Sequence, residues 1–238
     1  MPIVTIARTF GAGGSPIGLI LAKRMGAEFV DRKIVAEVAQ RSGISEAEAS
    51  GYDEQVRSVW QRVAAALTAG RTELAIPLPP TDELDPGMGV EERLAHLTRA
   101  VIEEEAARGN AVIVGRGGAF ILRDHPDTLH VQIQAPIETR IRYLQSQAEE
   151  LPDGTRPDDA SLRQLCAAVD ARRADYVRRL FGVNWLDSAH YDLILDTGTF
   201  SFEAAADLIE LALQRRHAPE ATPAPRVEQP GTNPATSP

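Results

Sequence analysis

The sequence predicts an α/β fold: a parallel sheet with helices on both faces. Three observations carry the prediction. Short apolar runs, "IVTIA" at 3–7, "AVIVG" at 111–115, "TLHVQIQA" at 128–135 and "YDLILDT" at 191–197, read as strands buried on both sides. Segments of helical period separate them. A glycine-rich stretch, "RTFGAGGSPIG", links the first strand to the first helix.

In chain order, strand 3–7 leads into the glycine loop. Ser15-Pro16 then reads as a helix start, with Ser15 as N-cap and Pro16 at the first helical position. Ile17, Ile20, Leu21 and Met25 recur at helical spacing, and Gly26 closes the helix. "AEFVD" is a second short strand ending at Asp31. Residues 32–42 read as helix, "SEAE" at 45–48 as a capping box, and Val56, Val59, Trp60, Val63 and Leu67 as the apolar stripe of a longer helix.

Residues 70–90 hold four prolines and three glycines, which rules out a continuous helix there. The stretch reads as an excursion between subdomains or over a site. Helix resumes over 91–108, with Leu94, Leu97, Val101 and Ile102 on one face, and "ARGN" ends it. Further helices fall at 136–149, 159–181 and 201–216. The last 22 residues, 217–238, contain six prolines and almost no large apolar side chain, and read as a disordered tail.

Bulk composition narrows the function classes. Across 238 residues the net charge is −9, which argues against a broad basic face for nucleic acid while leaving room for a local anion pocket. The single cysteine, Cys166, excludes an intrachain disulfide. No signal-peptide pattern or membrane-length apolar run is visible, so the expectation is a cytoplasmic protein without a membrane partner. His96, His125, His130, His190 and His217 lack metal-ligand spacing. A G-x-S-x-G nucleophile elbow is also missing.

The glycine loop carries the first functional signal. A strand, a glycine turn and a helix N-terminus expose free N–H groups and the positive end of the helix dipole, a suitable place for phosphate. Gly11, Gly13 and Gly14 fit a backbone cradle. Against the pattern G-x-x-x-x-G-K-[ST], Arg8 stands at the first glycine and Gly13 at the last. Gly14 occupies the lysine position and is expected in the left-handed region. Ser15 keeps the hydroxyl that can reach a metal. A plain tight turn fits this segment equally well.

Three further segments bear on that choice. Arg116, in "VIVGRGG", lies just past a buried strand, at the sheet edge where α/β ligands bind. It reads as a bidentate phosphate donor, or as a loop arginine paired with Asp124 or Asp127. Arg172, Arg173, Arg178 and Arg179 share a helix with Asp170 and Asp175 after the polar stretch "EELPDGTRPDD". They read as a phosphoryl-transfer lid or as a solvated charged face. Asp31 either meets a substrate or caps the helix beginning at Arg32.

Together these stretches resemble the cytidylate kinase-like family, relatives of the P-loop nucleoside monophosphate kinases. The resemblance covers roughly residues 3–212. It rests on "VTIARTFGAGG", "EFVDRKIVAEVAQRSGIS", "VIVGRGGAFILRD", "HVQIQAPIETRIRYL" and "RRADYVRRLF…W…YDLILDT". It implies a three-layer P-loop-type fold over 1–216, with a helical insertion at 43–108 and an arginine-rich lid at 145–190. It further implies transfer of the ATP γ-phosphoryl group to CMP or a similar acceptor, with Mg²⁺.

On this resemblance Arg8, Gly11, Gly13, Gly14 and Ser15 would bind ATP, with Ser15 toward the metal. Asp31, Arg32 and Arg116 would lie on the acceptor side. Arg116, Arg172 and Arg173 would neutralise the transferred group. The expected partners are a nucleotide and a small-molecule acceptor, with a homo-oligomer left open. The alternative is a pseudokinase that binds nucleotide without turnover.

The chain departs from the family pattern at the loop. Cytidylate kinases have a lysine where Gly14 stands, and relatives of the "-like" branch often read "GSGGRE" where this chain reads "GAGGSP". "GRGG" replaces "GRD". Loss of one well-placed transition-state donor typically costs about 10²–10³ in rate. Arg8 and the lid arginines are the available replacements, while Lys23 lies about two turns along the helix.

Overall fold

The computed structural model describes residues 2–31, 90–148 and 156–216. The sequence readings for 32–89, the polar hinge at 149–155 and the tail at 217–238 lie outside the described residues, Arg32 among them.

Five strands form one all-parallel sheet: β1 (Ile3–Arg8), β2 (Glu28–Val30), β3 (Ala111–Val114), β4 (Thr128–Gln134) and β5 (Leu193–Asp196). Their spatial order is β2-β3-β1-β4-β5. β1 is therefore central, with β3 on one side and β4 on the other. The connection from β1 runs to one side, to β2, and the connection from β3 crosses to the other, to β4, so the loops after β1 and β3 flank the switch point of the sheet, where α/β proteins bind ligands.

The helices are α1 (Gly14–Met25), α2 (Val90–Arg108), the single turn α3 (Gly118–Ile121), α4 (Ile137–Ala148), α5 (Asp159–Phe181) and α6 (Phe202–Arg216). A short 3₁₀ turn spans Ser188–His190. The α3 turn and the 3₁₀ turn escape periodicity because each is too short to show a repeat.

Two cores cover the sheet. On one face Val4, Ile6, Val112, Val114, Val131 and Ile133 pack against Ile17 and Leu21 of α1 and Ala205 and Ile209 of α6. On the other, Ile3, Ala111 and Ile113 pack against Val101 and Ile102 of α2. A third cluster joins α4 to α5 through Ile141, Leu144, Leu162 and Leu165, with Phe10 of the glycine loop packed against it. Burying each large aliphatic side chain contributes about 1.5–3 kcal/mol, so the strands' apolar runs are enough to hold the layers together.

Two strand expectations change. β5 is an edge strand and only partly buried, because sheet order leaves it one neighbour. β4 is buried on both faces, yet one face is a polar row of Thr128, His130 and Gln132. That row is satisfied internally. His130 Nδ1 and Thr5 Oγ1 lie 2.8 Å apart, and Gln132 Nε2 donates to the Trp185 carbonyl at 3.3 Å.

Helix ends follow local chemistry. Gly26 ends α1 with φ 59°, its N–H turned back to the carbonyls of Ala22 and Lys23. Asp158 caps α5 by accepting from Ser161 N–H at 2.8 Å. The start of α1 differs from expectation. Gly13 is the N-cap, with φ 81°, and Ser15 and Pro16 already lie inside the first turn. Proline is tolerated there because its amide position has no helical partner.

No described helix is long and apolar enough to cross a membrane.

Candidate functional site

The site is built from the ends of β1, β2 and β3 and from the α4–α5 pair. Gly11 and Gly13 both adopt φ 81°, so the chain after β1 curls tightly before α1 begins. Among the described residues, the amides of Gly13, Gly14 and Ser15 donate no hydrogen bond. They are the orphan N–H groups of a helix start, beside a glycine turn at the sheet's switch point. A Cβ on Gly13 would meet the Phe202 ring at 2.2 Å, so both backbone and packing require glycine there.

Gly14 is not in the left-handed region, contrary to expectation. Its constraint is spatial: a Cβ there would lie 2.7 Å from Cβ and Cγ of Arg8. Arg8 leaves the end of β1, passes Gly14 and reaches Gly115, whose own added Cβ would stand 1.8 Å from Arg8 Nη1. The Arg8 side chain is only 20% exposed.

Ser15 serves a different contact from the expected cap. Its hydroxyl donates to Asp31 Oδ2 at 2.7 Å, and Asp31 Oδ1 lies 3.7 Å from Arg8 Nη2. The hydroxyl and the carboxylate form a pair of hard oxygen donors beside the orphan amides, suited to Mg²⁺ completed by phosphate oxygens and water. No cluster of three or more His, Cys, Asp or Glu ligands occurs among the described residues.

Arg116 sits on the next loop, after β3. It adopts φ 55° between Gly115 at 80° and Gly117 at 73°. A left-handed arginine is a strained position of the kind that clusters at functional sites. Among the described residues it has no ion pair, so pairing with Asp124 or Asp127 is not observed. Its side chain is exposed and electrostatically couples to Arg8 and Arg173.

Arg173 reaches the same place from α5. Its Nη1 donates to the Arg8 carbonyl at 2.7 Å, and its guanidinium stands 5.8 Å from the centre of the Phe10 ring. Burial, followed by the charges of Arg8, Arg116 and Arg140, presses Arg173 down to about 9, against the pull of Asp170. Burial also lowers Arg8, with Asp31 opposing and Arg116 adding to the shift. The site therefore holds crowded positive charge that an anion would relieve.

The structure separates the two adjacent lid candidates. Arg172 is exposed and donates to the Ala168 carbonyl at 3.4 Å, one turn back along α5. Arg178 pairs with Asp175 at 2.9 Å on the exposed face, as the solvated-face reading expects. Lys23 is exposed in the last turn of α1, away from the loop.

Sequence reasoning missed the clamp that holds the loop. Asp170 Oδ1 accepts from Phe10 N–H at 2.8 Å, and Arg140 Nε donates to the Phe10 carbonyl at 2.6 Å. Arg140 and Asp170 also pair with each other at 2.5 Å. A signal was present: Arg140 falls within the apolar stripe Ile137, Ile141, Leu144, where a charge needs a buried partner. Thr197 completes the loop's anchoring, donating from Oγ1 to the Ala12 carbonyl at 2.9 Å.

An uncharacterized protein from Eubacterium ventriosum superposes with a TM-score of 0.60 at 18% identity, covering 90% of this chain and 99% of that one, which shows a shared fold. A shikimate kinase from Acinetobacter baumannii superposes loosely, with a TM-score of 0.46 at 14% identity over 92% of this chain and 96% of its own. A uronate isomerase from Corynebacterium glutamicum is 28% identical over 120 residues, half of this chain. The match spans only 21% of that relative's length. The model of the cytidylate kinase-like family matches residues 3–199, taking in the glycine loop, Asp31, Arg116 and Arg173. The chain belongs to the cytidylate kinase-like family.

Proposed function

We propose that this protein is a nucleotide-dependent small-molecule kinase that transfers the ATP γ-phosphoryl group to a nucleoside monophosphate such as CMP. The observation that carries the reading is convergence: Arg8, Arg116 and Arg173, from three separate elements, surround one glycine loop with unpaired amides. Positioning and charge neutralisation are what phosphoryl transfer needs from a protein.

Each group has a role on this reading. The amides of Gly13, Gly14 and Ser15 hold phosphate oxygens. Ser15 and Asp31 hold the metal. Arg116, strained and exposed at the sheet edge, faces the acceptor. Arg173 links α5 to the loop, so the α4–α5 pair acts as the lid. Mg²⁺–ATP, when bound, supplies the transferable phosphoryl group and part of the charge neutralisation. Arg172, exposed on α5, reaches the transferred group only when α5 turns toward the loop.

Full-length protein incubated with ATP, Mg²⁺ and a panel of nucleoside monophosphates should yield ADP and a diphosphate product. Lack of turnover with every acceptor, CMP included, overturns the kinase reading. Gly14 in the lysine position favours the second reading, a pseudokinase. Calorimetry that detects nucleotide binding without turnover supports it.

A further inference from the structure

The glycine loop has no lysine, yet the space beside it is not empty. The Arg8 side chain runs from the end of β1 through the volume that a side chain at position 14 would need. It continues into the volume that a side chain at 115 would need. Gly14 has ordinary backbone dihedrals, so its conformation does not demand glycine. What demands glycine is the side chain at 8, whose Cβ and Cγ both stand 2.7 Å from a Cβ at 14. The loops after β1 and after β3 thus both lack a side chain where Arg8 passes, its aliphatic stem beside Gly14 and its guanidinium beside Gly115, whose φ of 80° also favours glycine.

That guanidinium is poorly satisfied. Among the described residues it makes no hydrogen bond, and its nearest carboxylate oxygen, on Asp31, is 3.7 Å away. Asp31 is meanwhile engaged at 2.7 Å by Ser15. A guanidinium has five donors and stays charged in water, so partial burial without acceptors is unfavourable unless an anion completes the site. Of its neighbours, Arg173 is committed to the Arg8 carbonyl and Asp170, and Arg116 lies out in solvent. Among the described residues, Arg8 is the cation whose side chain runs directly beside Gly14 at the start of α1.

We propose that Arg8 is the phosphate-binding cation of this loop, delivered from the strand end instead of the helix start. An arginine at 8 and a long side chain at 14 then exclude one another. The inference rests on the reading of the loop as a nucleotide phosphate site and names the residue that replaces its lysine. The charge is what the loop needs from residue 8, and a guanidinium can also stay in contact with Asp31 while it meets phosphate oxygens.

The test is calorimetry of the full chain with Mg²⁺–ADP, with thermal melts as the folding control. Arg8→Gln should weaken ADP binding about 10- to 100-fold, the loss of a charge-assisted contact, while Arg8→Lys should retain most of it. Gly14→Lys alone should also lose affinity, because its stem meets Arg8. Arg8→Gly, which removes the Cβ that stands 2.7 Å from a side chain at 14, combined with Gly14→Lys should recover affinity relative to either single variant, a rescue that a merely structural role for Arg8 would not produce. Unchanged ADP binding in folded Arg8→Gln, or a gain in Gly14→Lys with Arg8 in place, overturns the proposal alone. Wild-type protein that binds neither ADP nor ATP overturns the nucleotide reading beneath it.

Discussion

Arg140 and Asp170 form an ion pair that also grips both backbone polar groups of Phe10, Asp170 accepting from its N–H and Arg140 donating to its carbonyl. Their side chains are only 11% and 18% exposed. The pair belongs to α4 and α5, whereas Phe10 belongs to the loop after β1. One ion pair therefore fixes the glycine loop to the helix pair that also contributes Arg173.

Removing one partner of such a pair leaves the other charge buried and the peptide group unsatisfied. Asp170→Ala should destabilise the fold by about 3 kcal/mol, seen as a lower urea midpoint. Arg140→Met should cost a similar amount. The double variant should cost clearly less than the sum, because the two side chains act as one unit.

Two glycines with similar dihedrals should respond very differently to alanine. Gly13→Ala combines φ 81° with a 2.2 Å approach to Phe202, so it should destabilise by about 3 kcal/mol or more. Gly26→Ala has φ 59° but nothing within 4 Å of the new Cβ, so about 1 kcal/mol is expected. Thermal melts of the two variants check the difference. Phe202→Ala placed on Gly13→Ala should restore only the steric part.

His130 should make the fold acid-sensitive. Burial lowers its proton affinity, outweighing the pull of Asp192. The unfolded chain therefore takes up a proton near pH 6.5 that the folded chain refuses until lower pH, so stability falls as pH drops through that window. Below the folded value both states are protonated and the slope vanishes. His130→Gln, which can keep a hydrogen bond to Thr5, should flatten the fall in melting temperature between pH 7 and 5.

Ser15 and Asp31 should couple nucleotide binding to the metal. Ser15→Ala and Asp31→Asn should each reduce the affinity gain that Mg²⁺ gives to ADP, by about tenfold, with little change in metal-free binding. Paired titrations with and without Mg²⁺ measure the gain. An undiminished gain in both variants removes these residues from the metal site.

The sequence by itself determined the layered α/β architecture, because apolar runs, helical periods and glycine punctuation are local signals of burial and turning. It placed Gly11, Gly13, Ser15, Asp31, Arg116 and Arg173 among the candidates for the same reason: each stands at a strand end or on a helix of recognisable period. Only tertiary structure decided which of them meet. Strand order put β1 between β3 and β4 and brought the Arg8 and Arg116 loops to one edge. Helix phase turned Arg173 inward and left Arg172 outside. The use of Gly14 as room for Arg8, and of Arg140 and Asp170 as a clamp on Phe10, depends on contacts across 6, 130 and 160 positions of chain. The longer of these contacts leave no local pattern, since their partners come together only when the layers pack. The Arg8–Gly14 contact is near in sequence but is set by the path of one side chain over the loop.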